Sequence, residues 1–175
     1  MYKIDDFLAE GLNNSLNTYF ICDAAQVSQK IEKYLKFLRS TQNNVEVISI
    51  FTGTEWGNAP LECSPLLFDF KNVLHSSEYY LIEDLLNTSE SMHVVQTKLT
   101  LVDFIKKIKK FLKAKINNDE FLFRWYDPRI LKISNTLFTE GQNEDFYDEI
   151  FSWKIFVRNK HSYFDITVIN MESKL

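Results

Sequence analysis

Short apolar runs recur along the whole chain, and amphipathic segments stand between them. The runs have the length of β-strands and are bounded by turn-forming residues; they cover 18–23, 45–51, 66–70, 92–97 and 121–126. The segments at 24–39, at 77–87 and after Thr100 place apolar residues at helical spacing. Because strands that alternate with helices favour an α/β domain, we predict a mixed, mostly parallel sheet flanked by helices.

The end of the chain departs from this alternation. Two predicted strands, at about 153–158 and 163–169, flank a short polar loop, which is typical of a β-hairpin. With 175 residues, four glycines and three prolines, the chain is expected to form one domain without long linkers. We divide it into an N-terminal helical segment (1–17), a main domain (18–155), and hairpin strands with a short tail (156–175) that belong to the same domain.

Net charge and the first residues limit the possible functions. A formal net charge of −4 argues against a nucleic-acid binder. Residues 1–6 lack the basic-then-apolar order of a signal peptide, and no apolar stretch approaches the length of a membrane span. Cys22 and Cys63 show neither metal-ligand spacing nor a disulfide framework, so we expect Cys22 to be a packing residue. These features predict a protein of the reducing cytoplasm with no nucleic-acid or membrane partner.

The polar residues show no pattern that is typical of a reaction centre. The sequence has no Gly-x-Ser-x-Gly nucleophile motif. His75, His93 and His161 stand in unrelated contexts, without metal-ligand spacing, and we expect structural roles for them. The loop 52–57 follows a predicted strand but lacks the lysine and the glycine density of a phosphate-binding loop. We therefore expect no enzyme activity, no cofactor, no metal and no small-molecule substrate.

Lysines cover much of the predicted helix after Thr100. They are Lys106, Lys107, Lys109, Lys110 and Lys113. Runs of like charge usually face water, and this is the interpretation that we favour. The alternative is a patch that steers an acidic partner toward the protein.

Arginines and aspartates surround the ends of two predicted strands. Arg124 sits inside an apolar run, and a guanidinium cannot lose its proton, so its burial requires an acceptor. If the strands are parallel, Asp23 and Asp127 lie at one edge of the sheet, where Arg124 and Arg129 could pair with them. Asp127 and Pro128 have the order of a helix cap and a first helical residue. We interpret this group as a structural clamp, and a catalytic rim is the alternative.

The segment 121–131, Phe-Leu-Phe-Arg-Trp-Tyr-Asp-Pro-Arg-Ile-Leu, resembles the signature of one family. That family is the type VI secretion effector adaptors or effector chaperones (Tap or TEC type), which share a domain of unknown function. Further segments resemble the family in order and spacing, at 19–25, 51–55, 64–67 and 151–153. Ala24 stands where the family usually has Gly, and Leu66 stands where it usually has Tyr. The resemblance covers about 18–155.

The resemblance implies a carrier rather than an enzyme. Such adaptors bind the N-terminal region of a toxin effector in the cytoplasm and bring it to the trimeric spike protein VgrG or to its PAAR tip. The signature positions that the resemblance implies are Asp23, Arg124, Asp127, Pro128 and Arg129.

Four aromatic residues are candidate partner contacts. Trp56, Tyr79, Tyr80 and Trp125 could anchor an interface, and core packing is the alternative role for each. Two other functions stay open. One is an immunity-type inhibitor of a toxin. The other is a small-molecule enzyme whose rim would comprise Asp23, Thr52, Thr54 and Asp127.

Overall fold

Eight strands and five α-helices follow one another in the part of the chain that the computed structural model describes, which comprises residues 15–27, 29, 31–33, 47–69, 71, 79–88, 91–157 and 162–166. The strands are β1 (Asn17–Asp23), β2 (Val47–Ser49), β3 (Pro65–Asp69), β4 (Met92–Thr97), β5 (Lys113–Ile116), β6 (Asp119–Leu122), β7 (Ile150–Val157) and β8 (Ser162–Asp165). The helices are α1 (Tyr79–Thr88), α2 (Leu101–Lys109), α3 (Pro128–Leu131), α4 (Ser134–Leu137) and α5 (Glu140–Tyr147). Short 3-10 turns lie at Ala24–Gln26, Leu61–Cys63 and Lys110–Leu112.

Six of these strands form the main sheet, in the order β2-β3-β1-β4-β7-β8. Every neighbouring pair in this sheet is antiparallel. The predicted α/β fold with a mostly parallel sheet is therefore wrong. The predicted C-terminal hairpin is present as the antiparallel pair β7–β8.

Burial on both faces of the sheet explains the wrong strand direction. All six residues of β4 are buried, and in β1 burial extends from Thr18 to Asp23. In β1 the side chains alternate between two apolar clusters: Tyr19 and Ile21 belong to one, and Phe20 and Cys22 belong to the other. A strand that is covered on both sides reads as a continuous apolar run, which is also the pattern of a parallel strand. The apolar run indicates double-sided burial and leaves strand direction undetermined.

A separate two-stranded sheet, β5–β6, precedes the arginine-bearing segment. Asn117 adopts a φ of 57° in the turn between the two strands. β6 ends at Leu122, so the predicted strand 121–126 is wrong beyond that residue. The N–H of Phe123 still donates to the carbonyl of Leu112 at 2.7 Å, after which the chain turns. Arg124 consequently lies outside the strands.

Side-chain caps define where two helices begin. Thr100 caps α2 by accepting a hydrogen bond from the N–H of Asp103. Helix α5 begins at Glu140, because Thr139 and Gln142 form a complete capping box.

The predicted N-terminal helical segment 1–17 lies outside the described residues except for 15–17. Of the predicted helix 24–39, the structure describes residues 24–27, 29 and 31–33; Ala24–Gln26 form a 3-10 turn, and residues 29 and 31–33 are helical. Among the described residues, no helix combines the length and the apolar character needed to cross a bilayer.

Candidate functional site

Asp127 holds the turn through which the chain enters α3. Its Oδ1 accepts hydrogen bonds from the N–H and the Nε of Arg129 at 3.0 and 2.9 Å, and its Oδ2 accepts from Nη2 at 2.6 Å. Pro128 follows at the first helical position, where a missing N–H removes no helical bond. Burial alone would raise the pKa of Asp127, but the hydrogen bonds from Arg129 outweigh it and lower that pKa. The carboxylate therefore caps the helix and fixes the Arg129 side chain.

Asp23 at the end of β1 holds the second arginine. Its Oδ2 accepts from Nη2 of Arg124 and from Nε2 of Gln26, each at 2.8 Å. Its Oδ1 is buried and has no hydrogen-bond partner among the described residues. Burial would lower the pKa of the Arg124 guanidinium, but the charge and the hydrogen bond of Asp23 raise it. The bond joins the end of β1 to the segment after β6.

A turn brings the two ion pairs close together. The N–H of Asp127 donates to the carbonyl of Arg124 at 3.0 Å, and the Arg124 guanidinium lies 5.7 Å from the centroid of the Tyr126 ring. The predicted geometry, in which parallel strand ends carry the two carboxylates, is therefore wrong. Local chain reversal places Arg124 and Asp127 beside each other, while Asp23 comes from the antiparallel sheet.

The two threonines of the alternative catalytic rim lie in a different turn. Thr54 donates its hydroxyl to the carbonyl of Phe51 at 2.7 Å. The carbonyl of Thr52 accepts a hydrogen bond from Nζ of Lys109. Both threonines thus take part in holding the loop after β2 in place.

His93 is the residue of this region that sequence reasoning missed. It is fully buried in β4, its Nε2 lies 2.8 Å from the carbonyl oxygen of Tyr126, and Trp153 donates its indole N–H to Nδ1 at 2.8 Å. An indole N–H can only donate, so Nδ1 must be the unprotonated nitrogen and Nε2 must carry the proton. Burial lowers the pKa of His93 to about 4, partly offset by its bond to Tyr126. The sequence signal for its role is a histidine that stands beside the apolar residues Met92, Val94 and Val95 in a predicted strand.

Aromatic rings fill the space behind the two ion pairs. Trp153 stacks on Phe146 with ring centroids 5.0 Å apart, and Trp125 contacts both rings edge-on at 5.7 and 5.8 Å. Trp125 is completely buried. It therefore packs in the core, which corrects its prediction as a partner-binding residue.

The other three aromatic candidates differ in exposure. Trp56 is half-buried against Phe51, and the Nζ of Lys113 lies 5.8 Å from its ring centroid. Tyr79 is half-buried against the second apolar cluster, whereas Tyr80 is 62% exposed. Of the four, Tyr80 presents the most surface to a partner.

Several lysines of the predicted solvated face make contacts within the chain. Lys107 is buried and donates to the carbonyl of Asp145 in the last turn of α5, where the helix dipole favours a cation. Burial lowers the pKa of Lys107, although neighbouring carboxylates oppose this effect. Lys113 pairs with Glu55 at 2.8 Å and with Glu120 at 3.2 Å. The lysine run is therefore only partly a free solvated surface.

The histidine, cysteine and acidic side chains of the described residues do not form a metal centre. No group of three histidine, cysteine, aspartate or glutamate side chains is placed there to hold a metal ion. Cys22 is buried, and burial raises the pKa of its thiol. The site therefore consists of two fixed ion pairs, Asp23–Arg124 and Asp127–Arg129, and of packed aromatic rings.

Comparison with known proteins gives one match. The model of the family described as a domain of unknown function (DUF4123) matches residues 18–144. Searches of curated proteins and of solved structures find no significant match. The matched residues include both ion pairs and His93, and they end within α5.

Proposed function

The chain belongs to the DUF4123 family, which is associated with type VI secretion effectors, and from this membership we propose that it is an effector adaptor. In this proposal it binds the N-terminal region of a toxin effector in the cytoplasm. It then promotes loading of that effector onto the VgrG spike or its PAAR tip. It is released before secretion and does not itself carry out a reaction.

The observation that carries the proposal is the family match across residues 18–144. The segment that resembles the adaptor signature adds support, because its polar residues have structural partners. Asp127 caps α3 and pairs with Arg129, and Asp23 pairs with Arg124. Asp127 is a poor general base, because the hydrogen bonds from Arg129 outweigh its burial and lower its pKa. A scaffold for docking suits these contacts better than a reaction centre does.

The surface of the described residues also suits a binding role. Large apolar side chains are exposed on several elements; they are Tyr80, Val102, Ile116, Phe121, Ile133, Leu137 and Phe151. Protein interfaces need apolar residues that lose water on binding, together with polar residues around them. Single exposed apolar residues are common on any protein, so the argument depends on their combination with the family association.

Co-purification from the native host tests the proposal. The full chain with a small affinity tag is expressed at its natural level, purified under mild conditions, and its partners are identified by mass spectrometry. We expect one toxin effector together with a VgrG or PAAR protein, both depleted when the effector gene is deleted. Recovery without any component of a secretion system would contradict the proposal.

Two other functions would give different results in the same experiment. An immunity protein would bind the toxin domain itself and block its activity, with no spike protein in the complex. If the protein were an enzyme that binds its substrate at Asp23 and Asp127, no effector would copurify with it. That substrate would stabilise the protein against thermal unfolding.

A further inference from the structure

The β5–β6 hairpin has an inner side, turned toward the body of the protein, and an outer side, turned away from it. Directly opposite residues of an antiparallel pair point to the same side. The register therefore gives two sets: Lys113, Leu122, Lys115 and Glu120 on the inner side, and Ala114, Phe121, Ile116 and Asp119 on the outer side. Lys113 bonds to Glu55, and Leu122 packs against the main apolar cluster. On the outer side, Ile116 is 62% exposed and Phe121 is 49% exposed.

The hairpin leaves part of the β5 backbone unused. Antiparallel pairs alternate between pairs that exchange backbone hydrogen bonds and pairs that do not. The N–H of Phe123 donates to the carbonyl of Leu112 at 2.7 Å, one register position before β5. By alternation, the N–H and C=O groups of Lys113 and Lys115 point away from β6, and we name these four groups the free edge of β5. No other described strand pairs with β5, and no backbone bond of the described loops uses these groups.

A lysine without an acidic partner stands at the free edge. Lys113 pairs with Glu55 at 2.8 Å and with Glu120 at 3.2 Å. Lys115 is exposed and makes no ion pair within the described ranges. An edge lysine opposes pairing with a strand that offers no carboxylate to it. The same charge favours a strand that places a carboxylate opposite Lys115, because opposite charges stabilise cross-strand pairs.

We propose that the free edge of β5 binds an extended segment of a protein partner as a third, antiparallel strand. The segment alternates acidic and apolar residues. A carboxylate lies opposite Lys115, and an apolar side chain contacts Ile116 on the outer side. Backbone hydrogen bonds supply affinity, and the alternation supplies specificity. The identification of the partner as a secretion effector rests on the proposed function, whereas the chemistry of the edge does not.

Charge argues against two other pairings of the hairpin. In a second copy of the chain, β5 paired with β5 would bring the lysines of both copies together. The edge of β6 presents Glu120, whose carboxylate already accepts a hydrogen bond from Lys113. A basic strand at that edge would compete with this contact, whereas an acidic strand on β5 meets no such competitor at Lys115.

A designed peptide tests the edge without any effector. The probe is an acetylated and amidated peptide of about six residues, the usual length of a strand, in which valine and glutamate alternate. A twin peptide has lysine in place of each glutamate. Each is titrated into the full, isotope-labelled chain, and NMR follows the chemical shift and the hydrogen exchange of every backbone amide.

The amides of Lys113 and Lys115 should respond most strongly to the acidic peptide. Their N–H groups gain acceptors on the added strand, so their exchange with solvent should slow. The amides of Ala114 and Ile116 already bond to β6, and their exchange should change less. The lysine twin should leave all four amides unchanged.

Backbone methylation of the peptide distinguishes strand addition from simple apolar contact. In the proposed antiparallel pairing, the glutamate opposite Lys115 directs its N–H toward β5, whereas the neighbouring valines direct theirs away. Methylation of the glutamate nitrogens should therefore abolish binding. Methylation of the valine nitrogens is the matched control and should preserve it.

Removal of one charge from the chain tests the acidic pairing. Lys115→Gln should weaken binding of the acidic peptide about threefold, as expected for the loss of one exposed cross-strand charge pair. Lys106→Gln removes an exposed lysine from α2 and is the matched control, and binding should stay the same.

Four results would overturn the proposal: unchanged exchange of Lys113 and Lys115 at every soluble peptide concentration, slowing centred on another strand, equal binding of the lysine twin, or equal effects of the two methylation patterns. None of these depends on whether an effector copurifies. Failure of the edge and failure of the adaptor function can therefore be told apart.

Discussion

Trp153 donates its indole N–H to Nδ1 of His93 at 2.8 Å, and this bond determines the protonation of a fully buried histidine. Because Nδ1 accepts, the proton resides on Nε2, which donates to the carbonyl of Tyr126. One neutral imidazole thus connects β7, β4 and the segment that carries both arginines. A second proton on the ring would break the bond to Trp153 and place a charge in the core.

Stability should decrease as the solution is acidified from pH 6.5 to pH 4. His93 has a folded pKa of about 4 against an ordinary value of 6.5, so in this range the unfolded chain binds a proton that the folded chain does not. The free energy of unfolding then falls with falling pH, by about 3 kcal/mol in total. Asp127, whose pKa is lowered from 3.8, adds a further loss below this range. Urea unfolding at several pH values measures the slope, and a flat profile between pH 6.5 and 4 would contradict the buried neutral imidazole.

Replacement His93→Leu should destabilise the fold and abolish most of that pH slope. The change leaves the Trp153 N–H and the Tyr126 carbonyl buried without their partner, at a cost of about 2–5 kcal/mol for the two groups. Met92→Leu is the control in the same strand, since Met92 is also fully buried and the change conserves volume, with an expected cost below about 1.5 kcal/mol. Urea unfolding compares the two, and equal stability of both variants would show that the His93 bonds contribute little.

The contributions of Asp23 and Arg124 to stability should be energetically coupled. We expect Asp23→Asn and Arg124→Gln each to lower stability by about 1–3 kcal/mol, toward the low end for Arg124 because its guanidinium is half exposed. In a double-mutant cycle the two effects should overlap by at least about 0.5 kcal/mol. Lys115→Gln, an exposed charge on β5, is the control and should change stability by less than about 0.5 kcal/mol. A cycle with no coupling would refute the clamp.

Two substitutions of Asp127 should separate the contributions of helix capping and of charge to stability. Asp127→Ala removes the cap of α3 and the partner of Arg129, and should cost about 2 kcal/mol. Asp127→Asn keeps a side-chain oxygen for the cap and should cost less, and its cost relative to the parent should shrink below pH 4, where the parent loses the stabilisation of the Asp127 carboxylate. If both variants unfold like the parent but a partner no longer binds, the segment is a binding element rather than a structural one.

Sequence patterns located most strands but could not define how they pair. The run 92–97 coincides with β4, and 18–23 falls within β1. Strand direction does not follow from these patterns, because strands buried on both faces have the same apolar composition whether they are parallel or antiparallel. The β-propensity of Phe121, Phe123 and Trp125 predicts a strand through Arg124, yet the hairpin ends at Leu122 and tertiary contacts bury Trp125.

The ion pairs of the candidate site follow from the sequence more readily than the role of the buried His93 does. An arginine in an apolar context needs an acceptor, and the structure contains the pairs Arg124–Asp23 and Arg129–Asp127. The role of His93 depends on Trp153, which is 60 residues away in the sequence. No local pattern encodes such a contact.

The affinity of the purified chain for separate parts of its effector tests the adaptor account most directly. Once the effector has been identified, isothermal titration calorimetry measures binding to its N-terminal region and to its isolated toxin domain. The account predicts saturable binding to the N-terminal region with a Kd at or below about 1 µM, equivalent to about −8 kcal/mol, and none to the toxin domain. Binding to the toxin domain alone would contradict it and would indicate an inhibitor instead.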